Sequence, residues 1–87
     1  MSDLEFDIID ELYFVTSWRE LTVALGLASD NPDLRAAVEL LVQRGFLRSY
    51  FPDPDSEFAY QPMLFAAHYQ QMQYLATKAG LLAHNER

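Results

Sequence analysis

The hydrophobic positions in the first third of the chain predict an amphipathic helix. Between Leu4 and Val15 the apolar residues recur at intervals of three and four, which places them on one face of a helix. Asp7, Asp10 and Glu11 fall between them and should face water. We therefore expect a first helix over residues 4–15, with an apolar stripe of Leu4, Ile8, Ile9, Leu12 and Val15.

A capping signal and a glycine bound the second predicted helix. Ser17 and Glu20 have the spacing of a capping box, in which each side chain bonds to the other residue's backbone N–H. Gly26 suits the left-handed residue that commonly ends a helix. The helix should run to about residue 25, with the side chains of Trp18, Leu21 and Leu25 facing the core.

The third predicted helix begins at Asn31 and Pro32. Asn31 is a favourable N-cap, and Pro32 suits the first helical position because no N–H is needed there. Gly45 should terminate the helix. Its apolar stripe consists of Leu34, Ala37, Val38, Leu41 and Val42.

The second half of the chain mixes strand and helix signals. Residues 46–51 are rich in aromatic side chains and precede a turn-forming segment over residues 52–56, which predicts a strand and a loop. Residues 62–76 match a helical stripe, yet residues 69–75 fit equally a strand returning beside residues 46–51. Residues 77–82 can cap and begin a short terminal helix.

Three stretches resemble the winged helix-turn-helix family of bacterial transcription regulators. They are SWRELTVALGL at 17–27, LLVQRGFL at 40–47 and YLATKAGLL at 74–82. The resemblance implies one α+β domain over residues 1–87. Its parts would be a three-helix bundle, a β-hairpin wing with a helical insertion, and a short C-terminal helix. It favours a strand at about 70–75 with a short helix before it. In this family the third helix enters the DNA major groove and the wing lies along the backbone.

Composition and charge restrict the class of protein. Half of the residues are hydrophobic (51%) and 14% are aromatic, which is enough for a folded core. The absence of cysteine excludes disulfides and thiolate metal sites. The N-terminus lacks a signal-peptide pattern, and no apolar run approaches the ~20 residues of a membrane span, so we expect a cytoplasmic protein without a membrane partner.

The net charge of −7, from 13 acids and 6 bases, opposes the DNA binding that the resemblance implies. On the outer face of the third helix, Gln43 is suited to adenine and Arg35 to guanine or phosphate. Glu39, Asp30 and Asp33 should repel the DNA backbone. If DNA is bound, the candidate contacts are Arg19, Arg35, Glu39, Gln43, Arg48 and Lys78.

The same surfaces suit a protein partner. Pro32, Ala36 and Leu40 add apolar character to the third helix, and the predicted wing carries more aromatic residues than a hairpin needs. These rings either anchor an interface with another protein or with a second copy of the chain, or cover a small core. A more distant hypothesis is a small-molecule sensor that uses them as a pocket. The candidate interface residues are Tyr50, Phe51, Phe58, Tyr60 and Phe65.

Nothing in the sequence predicts an enzyme. His68 and His84 are distant from each other and lack the i, i+4 partner of a helical metal site. The alternating acids of residues 53–57 lack the glycine and glutamate of a calcium-binding loop. We therefore expect no catalytic residue, no metal site and no cofactor. The two leading hypotheses are a DNA-binding regulator and an acidic winged-helix module that binds protein.

Overall fold

The computed structural model describes residues 1–86 of the chain. They form helices and one antiparallel sheet, joined by turns and loops. The α-helices are α1 (Asp3–Asp10), α2 (Trp18–Leu25), α3 (Pro32–Gln43), α4 (Pro62–His68) and α5 (Lys78–Asn85). The strands are β1 (Thr16–Ser17), β2 (Leu47–Tyr50), β3 (Glu57–Phe58) and β4 (Gln73–Ala76), and a 3₁₀ turn spans Tyr69–Gln71. The fold is α+β, as predicted.

The sheet brings distant parts of the chain together in the order β1-β4-β2-β3. β4 lies antiparallel to both neighbours, with Tyr74 opposite Thr16 on one side and Ser49 on the other. β3 continues the sheet beyond β2, where Phe58 pairs with Ser49. Alternate residues of β2 and β4 are buried, so one face of the sheet packs against the helices.

The predicted helix caps of α2 and α3 are confirmed. The Ser17 hydroxyl accepts from the Glu20 N–H at 3.1 Å, and the Glu20 carboxylate accepts from the Ser17 N–H at 3.1 Å. Gly26 ends α2 with a left-handed φ of 67°. The Asn31 side chain accepts from the Leu34 N–H at 2.9 Å at the start of α3. These ends form as predicted because each cap satisfies backbone groups only a few residues away.

The first helix is shorter than the apolar spacing predicts, since α1 ends at Asp10 rather than near residue 15. The Leu12 carbonyl instead accepts from the Ala76 N–H at 2.9 Å, and Thr16 and Ser17 pair with β4 as strand β1. Val15, predicted to lie on the apolar stripe, is 40% exposed. Pairing with β4, in which Thr16 lies opposite Tyr74, therefore overrides the local helical pattern.

Residues 62–76 contain both structures that the sequence left open. The chain forms α4 first, passes through the 3₁₀ turn, and then enters β4 beside β2. The predicted strand within residues 46–51 and the short terminal helix are both present as β2 and α5. The Thr77 hydroxyl caps α5 by accepting from the Gly80 N–H at 3.0 Å.

The core lies between the helices and the inner face of the sheet. Trp18 is 1% exposed, and its indole N–H donates to the Ser29 carbonyl at 2.9 Å, which satisfies its polar atom inside the core. Leu25, predicted to face inward, is half-buried at the margin of the core. The buried hydrophobic cluster comprises Ile8, Ile9, Leu12, Trp18, Leu21, Leu34, Val38, Leu41, Leu47, Phe65, Met72, Tyr74 and Ala76.

Candidate functional site

Tyr60 holds two of the α3 side chains that were candidates for reading DNA. Its hydroxyl donates to Glu39 Oε2 at 2.7 Å and accepts from Gln43 Nε2 at 2.9 Å. Glu39 and Gln43 lie one turn apart on α3, so a single ring from outside the helix joins both. The hydrogen bond to Glu39 is also the main reason that the pKa of Tyr60 is raised, because a neutral hydroxyl donates to the carboxylate and a phenolate would be repelled.

Arg35, the third candidate on this face of α3, lies against a second tyrosine. Its guanidinium carbon is 5.1 Å from the centroid of the Tyr69 ring, which is cation–π geometry. The Tyr69 ring also meets Trp18 edge-on at 4.9 Å and stacks on Phe65 at 5.6 Å. Arg35 is therefore half-buried against an aromatic cluster continuous with the core.

The segment that carries α4 contacts one flank of α3 at both of its ends. Tyr60 precedes α4 and Tyr69 follows it, and they contact opposite ends of the stretch from Arg35 to Gln43, about 12 Å of helix. Because the earlier tyrosine contacts the later part of α3, the segment runs in the opposite direction to α3. The segment is anchored in the core by Phe65, which is 1% exposed.

The remaining basic candidates lie on other elements. Arg48 Nε is 3.3 Å from Glu57 Oε1 across β2 and β3, and both side chains are more than half exposed. Arg19 is exposed in the first turn of α2, and Lys78 is exposed at the start of α5. The α3 candidates thus share one flank, whereas these three bases are spread over α2, the sheet and α5.

Arg44 joins α3 to the first helix. Its Nη1 lies 3.6 Å from Oε2 of Glu5, whose side chain is 9% exposed. The other oxygen of Glu5 accepts from the Ser2 N–H at 3.0 Å, completing a capping box for α1 that the sequence analysis did not identify. Arg44 therefore helps to compensate a buried carboxylate.

Acidic side chains surround the start of α3. Asp30 and Asp33 are exposed, and neither forms an ion pair within residues 1–86. Asp33 lies in the first turn, where a negative charge is favourable beside the helix N-terminus. Arg35 does not neutralise either acid, because its guanidinium lies over Tyr69. This end of α3 is consequently unfavourable for a phosphate.

The five aromatic residues predicted for an interface are buried or half-buried. Phe51 meets Phe58 edge-on at 6.2 Å and stacks on His68 at 4.7 Å. Phe65 is too deeply buried to contact a partner, and Tyr60 is engaged with α3. Tyr50 is half-buried in β2. These rings cover the core of a small domain, the alternative role that the sequence analysis considered.

Exposed apolar side chains lie on the outer sides of α3 and α4, as they also do at Tyr13, Phe14 and Val23. On α3 they have the spacing of one helical stripe and were identified from the sequence; Leu40 is 37% exposed. On α4 they were missed because its structure was left open, although intervals of three and four residues were a usable signal; Met63 is 86% exposed. We refer to these two sets of exposed side chains together as the α3–α4 face: Pro32, Ala36 and Leu40 of α3, with Met63, Ala66 and Ala67 of α4.

The two histidines have packing contacts. His68 Nδ1 lies 3.2 Å from Gln71 Oε1, and its ring stacks on Phe51. His84 Nε2 contacts Asp10 Oδ1 and joins the end of α5 to the end of α1. Within residues 1–86, no three histidine, aspartate or glutamate side chains converge on a point that suits a metal ion.

None of the helices described in residues 1–86 combines the length and the apolar character that crossing a bilayer requires. No protein-family model, curated protein or solved structure matches the chain.

Proposed function

We propose that this protein is a winged-helix interaction module that binds another protein through the α3–α4 face and does not read DNA with α3. The observation that carries the proposal is the engagement of Arg35, Glu39 and Gln43 by two tyrosines. Reading base edges requires free side chains that extend into the groove. These three are held against the neighbouring segment instead.

The order and pairing of the elements support the winged-helix part of the proposal. β1 lies between α1 and α2 and pairs with β4, while β4 pairs with β2, the strand that follows α3. The pairing of β2 with β4 agrees with the hairpin wing that the resemblance implies, with β3, α4 and the 3₁₀ turn as the insertion, whereas β1 was not expected. The same insertion covers a flank of α3, the helix that this family uses to read DNA.

The insertion is packed into the core, so displacing it from α3 would cost more free energy than DNA binding is expected to supply. Phe65 lies in the core, and Tyr69 contacts both Trp18 and Phe65. Removing a buried phenylalanine from a core costs about 3–5 kcal/mol, a large share of the stability of a small domain. Exposing the Arg35 flank of α3 would break these contacts, so α4 acts as a permanent neighbour of α3.

Electrostatics also favour a protein partner over DNA. Duplex DNA is bound mainly through phosphate contacts from lysine and arginine, yet the net charge of this chain is −7. Asp30 and Asp33 stand exposed at the end of α3 that would approach the phosphates. Arg35, Arg44 and Arg48 each have an internal partner. The surface thus opposes DNA while retaining apolar contact positions for a protein.

The proposal is tested by comparing capture of a partner with DNA binding. The wild type, Leu40→Glu and the control Val23→Glu are each immobilised and exposed to cell extract; Val23 is 73% exposed on α2. We expect a partner retained by the wild type and the control but lost with Leu40→Glu, and no binding of mixed duplex DNA at about 50 mM salt. Capture unaffected by Leu40→Glu, or salt-sensitive DNA binding, would contradict the proposal.

Regulation through DNA is the second candidate, and the strand connectivity favours it. It would use the bases outside the covered flank, such as Arg48 on the wing, in a dimer that doubles the number of phosphate contacts. This alternative predicts that Arg48→Ala weakens DNA binding and reduces its salt dependence, whereas Arg35→Ala, on the covered flank, does not. Binding unchanged in Arg48→Ala would exclude this docking geometry.

A further inference from the structure

We infer that the open edge of the sheet at β3 pairs with the same edge of a second copy of the chain, so that the two sheets become continuous. This inference goes beyond the proposed function, because it concerns the edge of the sheet and not the α3–α4 face. It follows from the direction of the backbone groups in residues 57–61, from the register in which they pair, and from the side chains along the strand.

The backbone of β3 bonds to the sheet on one side only. β3 continues the hydrogen-bonding register that begins where the Phe51 N–H donates to the Ser56 carbonyl at 2.9 Å. Because alternate residues of an antiparallel strand bond to the same neighbour, the backbone of Phe58 faces β2, and the backbones of Glu57 and Ala59 face away from it. Within residues 1–86 these outward N–H and C=O groups have no hydrogen-bond partner.

The open edge continues beyond the two residues of β3. Residues 57–61 alternate between exposed and half-buried, which is the period of a strand. Gln61 has the extended backbone angles φ −138° and ψ 123°, and its N–H also has no hydrogen-bond partner in the described residues. Of the elements in residues 1–86, only β2 packs extensively against β3. We name residues 57–61 the β3 edge; such an edge is a template for pairing with another strand.

One antiparallel register pairs every outward residue of the β3 edge with an outward residue of the second copy. It sets Ala59 opposite Ala59 and each Glu57 opposite a Gln61. The Gln61 carbonyl already accepts from the Phe65 N–H at 2.8 Å, so the register supplies about four new hydrogen bonds: two at Ala59 and one from each Gln61 N–H. A shift that sets Glu57 opposite itself would instead bring two carboxylates together, which is unfavourable.

The side chains of the β3 edge suit this register. Glu57 is its only charged residue, and the carboxylate already lies 3.3 Å from Arg48 Nε. Ala59 at the centre is small and leaves room for the second strand on the exposed face of the sheet. On the other face, Phe58 lies opposite Tyr60 of the second copy. Both rings are only half-buried, and aromatic pairs at opposite positions stabilise strand pairing.

The charge of the whole chain predicts a weak dimer with an unusual salt dependence. Each copy carries a net charge of −7, so the two copies repel each other. Salt screens this repulsion, whereas backbone hydrogen bonds respond little to it. The dimer should therefore become tighter as the salt concentration rises, opposite to the behaviour of an interface held by ion pairs.

The first test is sedimentation velocity of the full chain between about 20 µM and 1 mM, the range in which weak dimers form. Ala59→Pro removes the N–H that faces the second copy and no hydrogen bond inside the chain, so dimerisation should weaken at least about tenfold. The control Val15→Pro changes the segment leading into β1, at the opposite end of the sheet, and should leave the dimer unchanged. The urea midpoint of each variant verifies that it folds.

Charge variants test the register without proline. Ala59→Lys and Ala59→Glu each place like charges opposite each other in a homodimer and should each weaken it about threefold. An equimolar mixture of the two should dimerise better than either alone, because lysine then faces glutamate. The same pair of substitutions at Val23, which is 73% exposed on α2, controls for attraction by net charge and should give no such gain.

Each contrary outcome overturns the inference. A chain that stays monomeric up to about 1 mM has no such interface. A dimer lost with Val15→Pro but kept with Ala59→Pro forms through the β1 edge, and equal losses in two folded variants assign it to neither edge. A dimer that weakens with salt is held by ion pairs. A mixture of the Ala59 variants that is no better than its components excludes the register.

Discussion

Phe65→Ala tests whether the segment carrying α4 is part of the core or a detachable cover. Phe65 is 1% exposed and stacks on Tyr69 at 5.6 Å, the ring that holds Arg35. Removing a buried phenyl ring costs about 3–5 kcal/mol through lost burial and the cavity left behind. A domain of 87 residues has a total free energy of unfolding of about 4–13 kcal/mol. The melting temperature should therefore fall by roughly 12–40 °C.

The assays are thermal and urea denaturation, each followed by circular dichroism and by the fluorescence of Trp18, the only tryptophan. Met63→Ala is the matched control, because Met63 lies on the same helix and is 86% exposed; its effect should stay within about 0.5 kcal/mol. Phe65→Leu should give a smaller loss of the same sign, which keeps the comparison possible if the alanine variant does not fold.

A detachable segment would behave differently. Phe65→Ala would then cost less than about 1 kcal/mol of global stability, while the amides of α4 would exchange rapidly even in the wild type. That result would refute the argument that α4 permanently covers the flank of α3. DNA reading by α3 would then become accessible through local opening.

Three further perturbations test other parts of the structure. Gly80→Ala should lower the free energy of unfolding by at least about 2 kcal/mol in urea denaturation, because the new Cβ would overlap the Phe46 carbonyl; an increase in stability would disprove the contact. Ser17→Ala should cost about 1 kcal/mol, measured in the same way, since it removes the cap of α2, and no loss would contradict the capping box. Tyr60→Phe should lower the urea midpoint most below about pH 10, where the wild-type hydroxyl keeps its proton. The difference should disappear as pH rises through the raised pKa of Tyr60, and a pH-independent difference would show that the link to Glu39 contributes nothing.

Features of the fold that depend on neighbours in the sequence could be predicted. The ends of α2 and α3 follow from Ser17, Gly26 and Asn31. Ser17 and Asn31 accept hydrogen bonds from backbone N–H groups three residues on, and Gly26 adopts the left-handed conformation that ends α2. The end of α1 could not be predicted in this way, because the Leu12 carbonyl bonds to Ala76. Residues 62–76 were ambiguous because one short apolar pattern fits both a helix and a strand.

In the candidate site, too, local features could be predicted from the sequence and contacts between distant residues could not. The outward positions on α3, including Ala36 and Leu40, follow from helical periodicity. The bonds of Tyr60 to that helix do not, since it lies 21 residues from Glu39 and no local rule relates the two. The sequence therefore predicts which side chains lie on the outside of α3. It does not predict that Arg35, Glu39 and Gln43 are contacted by tyrosines from another part of the chain.

Mapping of backbone amide chemical shifts tests the central claim most directly. The labelled protein is titrated at about 50 mM salt with mixed duplex DNA. The proposed function predicts that DNA leaves the spectrum unchanged, including the amides of Ala36 and Leu40 on α3. Shifts caused by DNA along α3 and at Arg48, disappearing at about 200 mM salt, would contradict it and restore DNA recognition as the function.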